Sequence, residues 1–295
     1  MLRQYRVRDY DFKLILLVAA LTVIGILAIG SAKESLQSRQ IAGAVFGAFL
    51  MLVISLFDYT VILKFYWILY LLNVALLALV KAVGVEAGGA QRWLELFGIQ
   101  FQPSETAKIL IILFFAQFIM RHKDEMHSIR VIGMCVLLFL PQILLIYIQP
   151  DMSTSIMVTL LFCVILFVGG ISWKYIVLVL SIAIPAFVIV LTLILQPDQQ
   201  IIKDYQQTRI LAWIYPDEYA NAEAYQQNNS IMAIGSGQLY GKGYDTNEIS
   251  SVKNGNFISE PQTDFIYAVI GEEFGFVGGC TVIVLLIFIS FECIM

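Results

Sequence analysis

Charge is scarce in this chain. Asp, Glu, Lys and Arg make up 14% of its 295 residues, where soluble proteins carry roughly 25%. The little charge present does not lean basic. The formal net charge is −4, so there is no electrostatic footprint for nucleic acid. Histidine is scarcer still. The two histidines, His122 and His127, share one short loop with no third ligand, and no metal site is assigned to them. The four cysteines are Cys135, Cys163, Cys280 and Cys293, all inside apolar runs. There they read as small hydrophobes rather than disulfide partners or metal ligands. Internal repeats and low-complexity tracts are missing. No small-residue cleavage site follows the basic start, so the first apolar run reads as a retained helix and not a signal peptide.

Apolar residues are abundant. They make up 59% of the chain, and the mean hydropathy is +0.82, well beyond the ~45–50% apolar content of soluble domains. Eight runs approach or reach spanning length: 14–30, 41–57, 65–80, 107–120, 131–148, 153–170, 175–195 and 265–291. The fourth is short and is expected to extend back through Ser104. In lipid such runs must be helices, because nothing outside the segment can satisfy the backbone. The expected fold is an all-α polytopic helix bundle, a single membrane domain over 1–295.

Lys and Arg in the short loops set the expected orientation. Arg3, Arg6, Arg8 and Lys13 precede the first span, and Arg121, Lys123, Arg130 and Lys174 fall on the same side by alternation. That side is cytoplasmic. The segments 31–40, 81–106, 149–152 and the long stretch 196–264 are then external. A loop as long as the last is uncommon without a role.

Polar residues gather in four places on the external side. Gly88-Gly89-Ala90-Gln91-Arg92-Trp93 leads to Phe101-Gln102-Pro103-Ser104-Glu105-Thr106-Ala107-Lys108. Pro103 suits a first helical turn, and Glu105 and Lys108 share one face. A capped helix with an internal ion pair explains this as well as a functional role does. Gln149-Pro150-Asp151 precedes the sixth span, where Asp151 reads first as a helix cap and alternatively as a partner of Lys108 across a cavity. Ala233-Ile234-Gly235-Ser236-Gly237 and Gly241-Lys242-Gly243 would let backbone amides approach an anion, although a flexible turn is the commoner cause of such glycines. Ser259-Glu260-Pro261-Gln262-Thr263-Asp264-Phe265 opens the last span, again with capping as the simplest role for Asp264. Glu272 and Glu273 follow inside that span, where adjacent acids point to a polar cavity.

In this order and between these spans, the motifs GxQRW, FQPSExxK, QPDxxT, AIGSGxxxGKG and ExxTDF resemble the SEDS family (shape, elongation, division and sporulation; RodA, FtsW and SpoVE). Gly89-Ala90-Gln91-Arg92-Trp93 leans toward the RodA branch. The resemblance covers essentially the whole chain. Family members usually have ten spans, so the last two are expected to be missing here. Two positions depart from the family pattern: Gln238 where another Gly is usual, and Ser259 before Glu260 where Pro is usual.

The resemblance implies a peptidoglycan glycosyltransferase of the bacterial cytoplasmic membrane. It would polymerise lipid II, a disaccharide-peptide on undecaprenyl diphosphate, beside a class B penicillin-binding protein. The family's proposed catalytic carboxylate falls on Asp264, which would act as general base on the acceptor hydroxyl. Charge growing on the diphosphate leaving group calls for cations. The candidates for substrate binding are Arg92, Lys108, Arg209 and Lys242, with Glu105 and Asp151 beside them; Arg92 and Lys242 are favoured. A divalent cation, Mg or Mn, could share the task, though no ligand spacing demands one. A lipid-precursor flippase and a non-catalytic scaffold are the rival readings.

Overall fold

A computed structural model of the chain describes residues from Tyr10 onward, apart from 88–89, 97–98, 150, 197–198, 200–201, 203, 216–217, 219–224, 246–250, 252–254 and 256. Of 86–87, 90, 96, 99, 205 and 209 it describes the backbone alone. Arg3, Arg6, Arg8, Gly88, Gly89, Pro150 and the Arg209 side chain therefore lie outside the described residues.

All eight expected spans are helices, and the chain is a polytopic helical membrane protein. They are α1 (Phe12–Ala32), α2 (Glu34–Ser55), α4 (Tyr66–Val83), α5 (Pro103–Arg121), α6 (Ile129–Ile148), α7 (Met152–Val168), α8 (Trp173–Ile194) and α11 (Ile266–Ile294). Seven are long and apolar enough to cross a bilayer, and α7 is an apolar helix just below that length. Short helices complete the set: α3 (Tyr59–Lys64), α9 (Asp204–Ile214) and α10 (Tyr225–Ser236). The sequence pattern predicts a ten-residue connector at 31–40. Instead α1 and α2 are separated by Lys33 alone. The polar residues there ride on helix ends, which satisfies their backbone groups without a loop. The segment 81–106 brings a second difference, an antiparallel three-stranded sheet of β1 (Val85–Ala87), β2 (Ala90–Leu96) and β3 (Ile99–Phe101).

The chain forms two compact units, 58–188 and a second made of 1–57 with 189–295. In the first, α4, α5, α6 and α7 pack on one another. Their core is strongly aromatic: Phe114, Phe115, Phe139 and Phe162 are buried together, with the Phe139 and Phe162 rings stacked at 4.1 Å. A polar seam crosses that core. Asn73 donates to Gln142 at 2.6 Å, and Gln149 donates to the Leu77 carbonyl at 3.0 Å. Arg121 lies over the Tyr66 ring at 4.7 Å and closes one end of the bundle. In the second unit α11 packs against both α1 and α10. Ala28, Ile270 and Val282 form one small core, and Ala233, Ile258 and Ala268 another. Helix α2 has no buried residue, and α8 buries only Ile194. Apolar surface of that kind is stable only against lipid or further protein.

Candidate functional site

In the 58–188 unit the first two motifs meet. Asp151 is the N-cap of α7, accepting from the Thr154 amide at 3.1 Å. Its other oxygen accepts from the Gln102 amide at 3.2 Å, and Gln102 also donates to Ser104 at 3.0 Å. Arg92 reaches Asp151 from β2, Nη1 to Oδ1 at 4.0 Å. The neighbouring Gln91 holds the Gly84 carbonyl at 2.7 Å, which ties β2 back to the end of α4. Pro103 opens α5 as expected. The expected Lys108–Asp151 pair is not made. Among the described residues Lys108 pairs with Glu105 at 2.8 Å, one helical turn away, while Arg92 and Gln102 take the Asp151 carboxylate. A partner on the same helix needs no tertiary placement, so the local pair wins.

Asp151 thus combines a cap with a charge pair, and two substitutions separate the roles. Asp151→Asn keeps an oxygen for the Thr154 amide and removes the charge facing Arg92. Asp151→Ala removes both. Thermal unfolding in detergent should rank wild type above Asn and Asn above Ala, the last step being about 1 kcal/mol, the usual worth of a cap. Equal midpoints for Asn and Ala would deny Asp151 its capping role.

In the second unit the glycine motif does something the sequence did not reveal. Helix α11 is broken at Gly275, whose φ is 66° and ψ −161°. The segment 238–243 docks into the break. Phe276 N–H donates to the Gln238 carbonyl at 2.8 Å, and Val277 N–H to the Leu239 carbonyl at 3.2 Å. In return Lys242 N–H donates to the Glu272 carbonyl at 2.9 Å, and Gly243 N–H to the Glu273 carbonyl at 3.1 Å. In an unbroken helix, 276 would bond 272 and 277 would bond 273. The loop is spliced between those pairs and supplies both halves of each. The amides of Lys242 and Gly243 therefore bond the helix, so the motif's glycines serve neither use the sequence suggests, an anion's approach or a flexible turn. Gly237 and Gly241 allow the approach. A Cβ at Gly237 would strike the Gly271 carbonyl, and one at Gly241 (φ 82°) the Glu273 carbonyl.

The two acids that follow Asp264 along α11 are buried, Glu272 at 3% and Glu273 at 2% exposure. Each has a polar partner. Lys242 Nζ lies 2.7 Å from Glu272 Oε1, and Ser31 of α1 donates to Glu273. A cavity of about 400 Å³ adjoins this pair, with Asn229, Ser236, Lys242, Phe257 and Glu272 among its lining residues. Lys242, a sequence candidate for the diphosphate, is thus held by a carboxylate, as are Arg92 and Lys108.

Asp264 does not cap α11. The helix begins at Ile266 with Phe265 at the N-cap position and no side-chain cap. The Asp264 amide instead closes a turn onto the Glu260 carbonyl at 3.2 Å, beside Thr263 at the same distance. Glu260 takes φ 52°, a left-handed conformation uncommon for a residue with a side chain, and its carboxylate accepts from Gln262. Helix α10 braces this segment: Gln226 donates to Ser259 and Asn229 to the Phe257 carbonyl at 2.9 Å. The Asp264 side chain is exposed, and among the described residues its carboxylate has no partner.

Residues 9–295 match the family model FTSW_RODA_SPOVE, described as cell cycle protein. The peptidoglycan glycosyltransferase MrdB of Escherichia coli K12 is 35% identical over 271 residues, covering 91% of this chain and 70% of that protein. A probable peptidoglycan glycosyltransferase FtsW of Haemophilus ducreyi is 34% identical over 229 residues, covering 77% of this chain and 54% of its own length. Among solved structures, a chain from a study of polymerization and crosslinking by a peptidoglycan synthase complex aligns with a TM-score of 0.72 at 26% identity, over 95% of this chain and 76% of that one. The rod shape determining protein RodA of Thermus thermophilus aligns with a TM-score of 0.62 at 25% identity, over 95% and 73%.

Proposed function

The chain belongs to the FtsW/RodA/SpoVE family of cell cycle proteins, and from that premise we propose that it polymerises lipid II at the outer face of the bacterial cytoplasmic membrane, with Asp264 as the general base. The coarse activity, that of a multi-pass peptidoglycan glycosyltransferase, follows from the family and from relatives named for it. The finer reading rests on one observation. At the start of α11 an exposed carboxylate stands on a braced turn and spends nothing on capping the helix behind it.

Such a carboxylate can accept the proton of an acceptor sugar hydroxyl as its oxygen attacks the anomeric carbon of the donor. The new glycosidic C–O bond forms while the bond to the diphosphate breaks. The electron pair leaves with undecaprenyl diphosphate, a leaving group that needs no strong acid. A class B penicillin-binding protein is the proposed partner; the crosslinking named for the similar synthase complex supports one. The lipid tails would lie against the apolar surfaces that the helices present outward.

Purified protein with its partner should convert lipid II into glycan strands. A flippase would instead move lipid II across proteoliposome membranes without polymer, and a scaffold would do neither. The proposed orientation has its own measurement. A single cysteine at position 225 should react with an impermeant reagent in intact cells, and one at 122 only after permeabilisation.

A further inference from the structure

The Lys242–Glu272 pair costs more than the fold around it requires. Four backbone bonds already hold the loop to α11, whereas two charges 2.7 Å apart, one of them 3% exposed, must be stripped of water to meet. The pair's position explains its presence. Gly275 separates 266–274 from the rest of α11, leaving a stub too short to be stable alone. Asp264 sits two residues ahead of that stub, between it and the braced turn, so the stub's attitude and the turn together set where the carboxylate points.

The stub has two kinds of anchor. The backbone splice fixes its position along the helix axis. Glu272 and Glu273 lie about 100° apart around that axis, and they reach different elements, the loop through Lys242 and α1 through Ser31. Two side-chain anchors at different angles fix rotation, which hydrogen bonds along the axis control poorly. A general base has to be held within about 0.5 Å of its productive place.

We propose that Lys242 and Glu272 are a positioning pair for Asp264, and that Lys242 acts through the helix rather than on the diphosphate. The inference rests on Asp264 being the base. Its test uses the full-length protein in complex with its class B partner, with kcat and KM for lipid II measured separately. In Lys242→Met/Glu272→Gln the two neutral side chains replace the pair without stranding a charge. Its kcat should fall about tenfold or more, as small misplacements of reacting groups do, while KM stays near wild type. In Lys242→Glu/Glu272→Lys the pair is restored with its ends exchanged, and most of kcat should return. A raised KM with kcat retained would make Lys242 a substrate ligand and overturn the proposal. So would unchanged kcat in the neutral variant, or an exchanged variant that folds but stays slow. If neither variant folds, the pair is purely structural and the proposal is again overturned. Absence of polymer with the wild-type complex would instead defeat the polymerase reading itself.

Discussion

Asp264→Asn should lower lipid II polymerisation by about 10²–10⁴-fold, the usual contribution of general-base catalysis, with almost no change in thermal stability. Two features make the expectation sharp. Asn is nearly the same size as Asp and equally tolerant of turns, so the turn from Glu260 to Asp264, which is closed by backbone groups, survives. The side chain also leaves no described partner behind, because Asp264 neither caps α11 nor joins an ion pair among the described residues. A structural carboxylate would behave in reverse, with near-normal polymerisation and a lowered unfolding midpoint. Lipid II consumption by the full-length variant with its partner, beside a melting curve, separates the two. Near-normal turnover by Asp264→Asn would remove it as the base. Glu260, also exposed and in the same turn, would then be tested next.

The second large effect concerns the splice. Gly241→Ala should destabilise the protein by on the order of 4 kcal/mol, enough to abolish folded yield in a protein of ordinary stability. Position 241 has φ 82°, which costs a residue with a Cβ about 1–2 kcal/mol. The added carbon would also collide with the Glu273 carbonyl. That carbonyl would have to give up its bond from Gly243 N–H, and a buried acceptor left unpaired costs about 1–3 kcal/mol. Nearby glycines serve as controls. Gly243 also has positive φ, at 98°, but open space around its would-be Cβ, so Ala there should cost only the backbone strain. Gly235 lies inside α10 with nothing within 4 Å. Ala at that position should be neutral or stabilising by about 0.5–1 kcal/mol. Purified yield and melting temperature of the three variants should rank 235 above 243 above 241. Equal stability at 241 and 243 would mean that the close approach to α11 is not needed.

The helices were legible because lipid leaves the backbone no alternative. Each apolar run became a helix, Pro103 began α5, and Asp151 capped α7. The buried pair of acids at 272 and 273 could also be foreseen, since ionisable groups within a span demand a polar enclosure. Three things could not be read. Strands of three to seven residues at 85–101 are too short for a period to register. Lys108 had two plausible carboxylates, and only the folded arrangement decides that Glu105 keeps it while Arg92 takes Asp151. The break at Gly275 depends on a positive φ, which one sequence does not display. A clue to it was present all the same. Gly237 and Gly241 are four residues apart, as are Gly271 and Gly275; a Cβ at Gly237, Gly241 or Gly275 would strike backbone of the facing segment, and Gly271 supplies the carbonyl that Gly237 meets. A matched pair of small-residue spacings can mark a splice of this kind.

Loop length is ordinarily the cheapest thing for a protein to vary, because closure entropy grows only slowly with added residues. The segment from Gln238 to Gly243 is an exception inside a long polar stretch. Its two acceptors and two donors are in register with Phe276, Val277, Glu272 and Glu273. One residue inserted between Leu239 and Lys242 would throw one half of the splice out of register and leave open ends in α11. Epitope tags and reporter domains should therefore fail within this hexapeptide, however exposed Leu239 and Tyr240 are.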